Sequence, residues 1–403
     1  MLTDYAEACR LVLEQKFDWG TETVPLAAAP GRTLAEPLRT DRPQPPFDRI
    51  TMDGIAIDHA AYATGQRVFS VAGVVAAGAV PPSLTDSTTC LEVMTGAALP
   101  PGTTTVIRYE DLIMVAEGFR LPDGVMDGKN IHESGSDAPA GYELAPAGTV
   151  IDHQLINLLA TCGYAAVSVR KLPRITIVAT GDELVPVGAV PGPQQIRMSN
   201  AHQLRALLSH LSSALPIRSE LPGASPAIMH LRDDREELRG RVRELLASND
   251  LLLFSGGVSK GKFDFLPEVL AELDVSKLFH RVAQRPGKPL WVGRTDNCMV
   301  FGLPGNPVSS LVGTVNYVLP FLRQNLGQPL VTERRQLGED VHFAKDLTLF
   351  QLVRIDPTDQ RAYPVRGAGS GDAASMLRAT GVLVLPRAQN DFGTGEWFDY
   401  VRF

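Results

Sequence analysis

Three short stretches carry residue types suited to phosphate and metal chemistry. The first is Ser255-Gly256-Gly257-Val258-Ser259-Lys260-Gly261-Lys262-Phe263-Asp264, which follows the apolar run Leu251-Leu252-Leu253-Phe254. Paired glycines let backbone approach a ligand closely, and amides, hydroxyls and ammoniums together suit an anion such as phosphate. An ordinary strand-to-helix turn capped by Asp264 explains the same residues equally well. No Gly-Lys-Ser/Thr closes the stretch as it would in a P-loop. The second is Thr180-Gly181-Asp182-Glu183, a hydroxyl, a glycine and two carboxylates after the apolar Ile175 to Ala179. Such carboxylates can hold a hard cation such as Mg²⁺, which in turn bridges phosphate oxygens, although a solvated turn has the same composition. The third is Leu303-Pro304-Gly305-Asn306-Pro307, where Asn306 and Pro307 read as N-cap and first helical residue. That start does not need Pro304 and Gly305, which stiffen and expose backbone where a ligand would lie. Arg281, Arg285 and Lys288 add a cationic segment around Pro286-Gly287, able to pair with phosphates or another oxyanion.

Other chemistry-bearing residues are less pointed. Asp233-Asp234 precede a helical pattern and more often serve a helix N-terminus than a metal. Met52-Asp53-Gly54 and Met94-Thr95-Gly96-Ala97 are turns that set a polar residue beside glycine. His132, His153 and His280 lack metal-ligand spacing and read as structural or surface residues. No Ser/Cys-His nucleophile pairing is signalled.

The elements that must position these residues follow from periodicity. Apolar strands at 175–179, 251–254 and 298–303 alternate with helical patterns from 199, after Asp234, over 264–272 and over 307–323. This predicts a mostly parallel sheet covered on both faces, with all three stretches beyond the carboxyl ends of its strands. Before it, Tyr5, Ala8, Leu11 and Val12 predict a helix over 3–15 capped by Thr3 or Asp4. Short apolar stretches at 68–76, 90–94, 106–109 and 112–115 predict a small β-rich unit, and Asp152 caps a helix ending at Gly163. After a polar connector at 327–340, the alternation Val382-Leu383-Val384-Leu385 and the tail 397–401 predict a C-terminal β-rich domain.

The totals exclude several classes. At 403 residues, 44% hydrophobic and 21% charged, the chain has the composition of a soluble protein of two to four domains. A net charge of -7 argues against general nucleic-acid binding. Four cysteines stand far apart with no Cys-x-x-Cys, as expected of buried thiols in a reducing cytoplasm. No apolar run reaches membrane-spanning length and no export signal is visible, so a cytoplasmic protein that contacts no membrane is expected.

Taken together, the chain resembles the MoeA-type molybdopterin molybdenumtransferases, relatives of the E domains of plant Cnx1 and of gephyrin. The resemblance runs in order through Met52-Asp53-Gly54, Met94-Thr95-Gly96-Ala97, Gly135 with Asp137, Thr180 to Leu184, Asp233-Asp234, Ser255 to Ser259 with Asp264, Pro286 to Pro289 and Leu303 to Pro307. It implies a multidomain α/β plus β fold, with N-terminal helical and β-rich domains, a central three-layer α/β pterin-binding domain and a C-terminal β-rich domain. The corresponding divisions are 1–44 with 138–172 (linker and dimerisation), 45–137, 173–325 and 326–403. An elongated homodimer is implied, in which the α/β domain faces the other subunit's N-terminal β domain across a cleft.

The implied reaction takes adenylylated molybdopterin and molybdate, uses Mg²⁺, cleaves the phosphoanhydride and releases AMP. The molybdopterin adenylyltransferase would be the handover partner. Carried over by position, Glu183, Asp233 and Asp264 are metal-linked or catalytic acids, and Asp53, Thr95 and Asp137 reach the site from the N-terminal half. Thr180, Gly181, Asp182, Ser255, Gly256, Gly257, Val258, Ser259, Gly305, Asn306 and Ser370 would bind substrate. Pro304 and Pro307 would shape the pterin pocket, with Arg281, Arg285 and Lys288 beside molybdate or phosphate. Against the family pattern, His132-Glu133-Ser134 replaces an arginine-rich run, Met198 stands where an acid is common and Ile55 where an aromatic is usual. Only Gly369-Ser370 matches the family's Gly-Ser turn in the C-terminal domain, and the Arg-x-x-Phe pattern near Phe350 is absent. A pterin-binding protein without turnover and a CinA-like phosphoanhydride hydrolase are the alternatives. Retention of Glu183, Asp233 and Asp264 favours the enzyme over the first, and the Asp53 and Thr95 motifs argue against the second.

Overall fold

A computed structural model describes residues 2–209, 226–258 and 264–403. Its centre is a six-stranded sheet built from β1 (Ile175–Thr180), β2 (Ala227–Leu231), β3 (Leu251–Ser255), β4 (Ser276–His280), β5 (Trp291–Arg294) and β6 (Met299–Leu303). The spatial order is β2-β1-β3-β6-β5-β4. The first four strands in that order run parallel, and β5 and β4 are antiparallel additions at one edge. The parallel strands are apolar throughout because both faces are covered, and alternate residues feed two separate cores.

On one face Ile177, Leu251, Leu253, Phe301 and Leu303 meet Leu204 and Leu208 of α1 (Ser199–Ser209) and Val12 of the first helix of the chain, Tyr5–Leu13. On the other, Val178, Leu252, Phe254 and Val300 meet Leu238, Val242 and Leu245 of α2 (Arg235–Ser248) and Leu266, Val269 and Leu270 of α3 (Leu266–Glu272). This is the expected three-layer domain. Helix α4 (Pro307–Gly313) continues through a π-helical turn, Thr314–Val318, into the helix Leu319–Asn325. Asp4 caps the first helix through Ala6 N–H, as its sequence predicts.

Several local expectations change. Helix α3 runs from Leu266, later than the sequence pattern places it, and Phe265 before it already has helical backbone angles. Asn306 does occupy the cap of α4, with Pro307 at its first turn, but its amide makes no cap bond. Strand β2 and the β4–β5 hairpin come in addition to the alternating pattern.

The C-terminal strands Glu333–Gln336, Thr348–Ile355, Gly381–Leu385 and Trp397–Arg402 form a second sheet, joined at its edge by the pair Gln284–Arg285, parallel to Thr348–Leu349. The cationic segment therefore leaves the central sheet after His280 and joins the second sheet through Gln284–Arg285. Helix α4 packs Val308 and Val312 against Phe350, Leu352 and Val382 of that sheet.

The chain divides into two compact units: Met1–Glu36 with Ala147–Asn157 and Ala165–Phe403, and Pro37–Pro146 with Leu158–Tyr164. The second contains its own six-stranded sheet, in the order Thr105–Arg108, Gly54–Ile57, Thr89–Val93, Val68–Val75, Gly118–Arg120 and Ile113–Val115. Its core draws Ile55, Ile57, Phe69, Cys90 and Ile107 to one face and Ala56, Leu91, Val93 and Val106 to the other. All four cysteines are free thiols; Cys9 is half-buried and the rest buried. Among the described residues no helix is long and apolar enough to cross a membrane.

Candidate active site

The registers of β1, β2, β3 and β6 align Thr180 with Leu231, Ala179 with Ser255, and Ser255 with Leu303. The turns after these strands therefore start level at one rim, the carboxyl end of the parallel strands, where ligands of such sheets bind. Within the rim the loops are tied together. Gly256 N–H donates to Leu303 O (3.0 Å), and Asn200 Nδ2 donates to both Ser255 Oγ (3.2 Å) and Gly305 O (2.7 Å). His280 Nε2 donates to Val258 O (3.0 Å) and His230 Nε2 to Gly181 O (2.8 Å). His280 is thus structural, as expected. Asn200 and His230 are rim residues that sequence reasoning missed; only Asn200's place at the start of a helix after a short motif offered a signal.

The glycines have a steric cause. Gly256 and Gly257 hold φ of +106° and +70°, and a Cβ on either would come within 2.9 Å of Thr180 Oγ1. Only glycine permits that backbone against that hydroxyl. Thr180 Oγ1 is buried beneath this glycine backbone and has no hydrogen-bond partner among the described residues. At Gly181 (φ +144°) a Cβ would collide with Glu183 Oε2 at 2.4 Å, so the Glu183 carboxylate folds back over this glycine.

The acids gather at the same rim. Asp234 caps α2 through Glu237 N–H (2.8 Å), whereas Asp182 Oδ1 accepts from the backbone of Asp233 (3.3 Å). Burial, reinforced by the carboxylates of Asp182, Glu183 and Asp264, pushes the pKa of Asp233 above the ordinary carboxylate range. Four negative charges so close favour a cation or a proton. Among the described residues, however, no group of three or more His, Cys, Asp or Glu side chains is arranged to hold a metal. Glu183, Asp233 and Asp264 thus form no all-protein cage. That suits Mg²⁺, which usually takes one or two carboxylates and completes its shell with water and substrate phosphates.

The raised pKa has a sign. The folded chain holds the Asp233 proton more firmly than the unfolded chain, so this group favours folding at low pH. That benefit is lost as pH rises through the raised pKa, leaving a penalty at neutral pH. Asp233→Asn is expected to raise the melting temperature at pH 7. At pH 3 the difference should vanish; calorimetry at both pH values checks it.

The cations sit beside the third turn. A cavity of about 890 Å³ is lined by Arg285, Lys288, Pro304, Asn306 and Ser370, with Lys345, Arg366 and the acids Glu339 and Asp340 from the C-terminal sheet region, Glu339 pairing with Arg366. Asn306 Nδ2 donates to Ser370 Oγ (2.9 Å), and Val308 N–H in the first turn of α4 donates to Ser370 O (3.2 Å) rather than to the Asn306 side chain. Arg281 does not line this cavity; it lies in left-handed backbone (φ 74°) with its N–H on Leu290 O. Pro307 begins α4 behind Asn306. Ser259, Lys260 and Lys262 lie outside the described residues. A larger cavity of about 1000 Å³, at the opposite end of the strands, is lined by both Lys16, Lys171, Arg174, Arg243 and Asp18, Asp250, Asp274, Asp296, and shares no residue with the rim.

In the other unit, Asp53 Oδ1 accepts from Thr95 N–H (2.6 Å) and Thr95 Oγ1 (2.8 Å), which joins the two motif turns. These bonds hold the Asp53 carboxyl below its ordinary range, the backbone donor first. His132 links Arg49 and Asp137. Arg49 can only donate, so His132 Nδ1 accepts (3.1 Å), and Nε2–H donates to Asp137 Oδ1 (2.9 Å).

Comparison with known proteins covers the whole chain. Three family profiles match: "MoeA N-terminal region (domain I and II)" over residues 3–163, "Probable molybdopterin binding domain" over 176–324 and "MoeA C-terminal region (domain IV)" over 334–403. A relative from Synechocystis named molybdopterin molybdenumtransferase is 36% identical over 402 residues, 98% of each chain. Another of that name from Staphylococcus aureus is 30% identical over 404 residues, 98% of this chain and 94% of its own. The crystal structure of a molybdopterin biosynthesis MoeA protein from a Pyrococcus species superposes with a TM-score of 0.83 at 27% identity, covering 100% of this chain and 99% of its own. With loops, sheets and length all in agreement, this chain belongs to the MoeA family.

Proposed function

We propose that the chain is a molybdopterin molybdenumtransferase that inserts molybdate-derived molybdenum into adenylylated molybdopterin, with Mg²⁺-dependent release of AMP. The observation that carries this is one rim holding a glycine cradle, a cluster of carboxylates and an adjoining cationic cavity. Curated relatives covering the full length bear that name.

The cradle of Gly256 and Gly257, with Thr180 packed beneath it, presents backbone to the substrate's phosphates, aided by Ser255, Val258 and Ser259. Gly181 and Asp182 shape the neighbouring turn. Glu183, Asp233 and Asp264 are the acids of which one or two would hold Mg²⁺. When bound there, the metal would supply positive charge to offset the negative charge developing on the phosphate oxygens. Arg285 and Lys288 pair with the molybdate oxygens, while Pro304, Gly305, Asn306, Pro307 and Ser370 wall the pterin side. Arg281 acts through the backbone of this segment. Asp53, Thr95 and Asp137 are supplied by the partner subunit of a homodimer, each chain being organised as 1–44 with 138–172, 45–137, 173–325 and 326–403. The adenylylated pterin is received in the cytoplasm from the adenylyltransferase.

The test follows AMP and pterin-bound molybdenum together, with and without a chelator. Molybdenum incorporation accompanied by AMP, both abolished by chelation and restored by Mg²⁺, is the expected result. Binding without either product would instead mean a non-catalytic pterin protein. AMP without incorporation would mean a phosphoanhydride hydrolase.

A further inference from the structure

The two cations on the Arg285-Pro286-Gly287-Lys288 loop are useful for an anion only if the loop holds them at a fixed spacing. Gln284, just before the loop, is 1% exposed, and so is Tyr317 in the π-helical turn. The Gln284 Nε2 amide donates to Pro286 O (3.2 Å) and Gly287 O (3.3 Å), while its Oε1 accepts from the Tyr317 hydroxyl. Two carbonyls on one side and a hydroxyl on the other fix which way the amide points. Burial raises the Tyr317 pKa well above the ordinary phenol value, so the hydroxyl remains a donor. Gly287 completes the arrangement: at φ +87° its absent Cβ would stand 2.8 Å from Gln284 Nε2. Gln284 also anchors the strand pair with Thr348, so the loop is held from the C-terminal sheet as well.

We propose that Gln284 and Tyr317 are positioning residues that set the Arg285–Lys288 spacing for a tetrahedral oxyanion, and so tune its affinity without touching it. The proposal rests on the reading above, in which those cations bind molybdate or a substrate phosphate. A π-helical turn is an uncommon feature that recurs at functional sites, and here it carries the inward-facing tyrosine. Losing one buried hydrogen bond is enough to let a loop carbonyl or the amide turn away.

The experiment is steady-state kinetics of the full chain, with molybdate and adenylylated molybdopterin varied separately, for Tyr317→Phe, Gln284→Met and Lys288→Ala. Tyr317→Phe keeps the ring in its core and is expected to fold. Both clamp variants should raise the KM for one of the two anions by on the order of tenfold. The KM for the other and kcat should stay within about twofold. Which KM moves identifies the source: molybdate, or the nucleotide phosphate. Equal losses in kcat and both KM values would mark a purely structural role and overturn the proposal. If Lys288→Ala raises a KM that the clamp variants leave unchanged, the clamp alone fails. If Lys288→Ala leaves both KM values unchanged, the cationic anion site fails, and the clamp with it.

Discussion

Glu183→Ala and Asp264→Ala should each lower kcat for molybdenum incorporation by on the order of 10²–10³-fold, with the fold intact. The size follows from the role. Phosphoanhydride cleavage builds charge on phosphate oxygens, and a cation that carboxylates hold in place stabilises that charge where water alone cannot. Glu183 is exposed and folds over Gly181 rather than packing into a core, so its removal leaves no cavity. Removing either acid also relieves the repulsion felt by Asp233. The melting temperature should therefore hold or rise slightly while turnover collapses. Raising Mg²⁺ should partly restore turnover, since fewer carboxylates mean weaker holding. Activity unchanged in either variant would remove that acid from the reaction.

Gly54→Ala should be the most damaging single methyl in the chain. Gly54 opens a strand paired on both sides, with Val93 and with Arg108. An added Cβ would sit 1.9 Å from the carbonyl oxygen of Ile107 and 2.8 Å from the Cα of Arg108. Both are backbone atoms, and no side chain can swing aside to make room. The strand would have to lift off its neighbour, costing about 3 kcal/mol or more. The unit Pro37–Pro146 should then melt in a separate, lower transition by calorimetry, and proteolysis should cut there first. The same lift would pull Asp53 from Thr95, so turnover should fall as well. A variant that melts as the parent does would show that the strand has slack.

Much of the central domain was legible because its strands obey a simple physical rule. A segment buried on both faces must be apolar throughout, and it must end where the ligand begins. Leu251 to Phe254 and Ile175 to Ala179 both follow it, and their loops did converge. Strand Ala227–Leu231 and the Ser276–Arg294 hairpin were less visible. They lie towards the sheet's edges, where one side is less covered and polar residues such as His230, Lys277 and Arg294 intrude. Asn306 shows the limit of cap signals. A residue able to satisfy a helix end will serve another partner if the fold supplies one, as Ser370 does for Asn306. The Asp53–Thr95 bond and the Gln284–Tyr317 bond span 42 and 33 positions. No local pattern reports such pairs. The mutual effect of the acids on Asp233 was equally hidden, since it arises only when three turns share a rim.

The bond from Asn306 to Ser370, with Val308 and Val312 seated on Phe350, Leu352 and Val382, bears on how the chain can be cut. A fragment ending near Asn325 would bare a greasy patch on its last helices and strip one wall from the cationic cavity. Such a piece should self-associate when expressed, and it should be a poor surrogate for ligand screening even if its central sheet is intact.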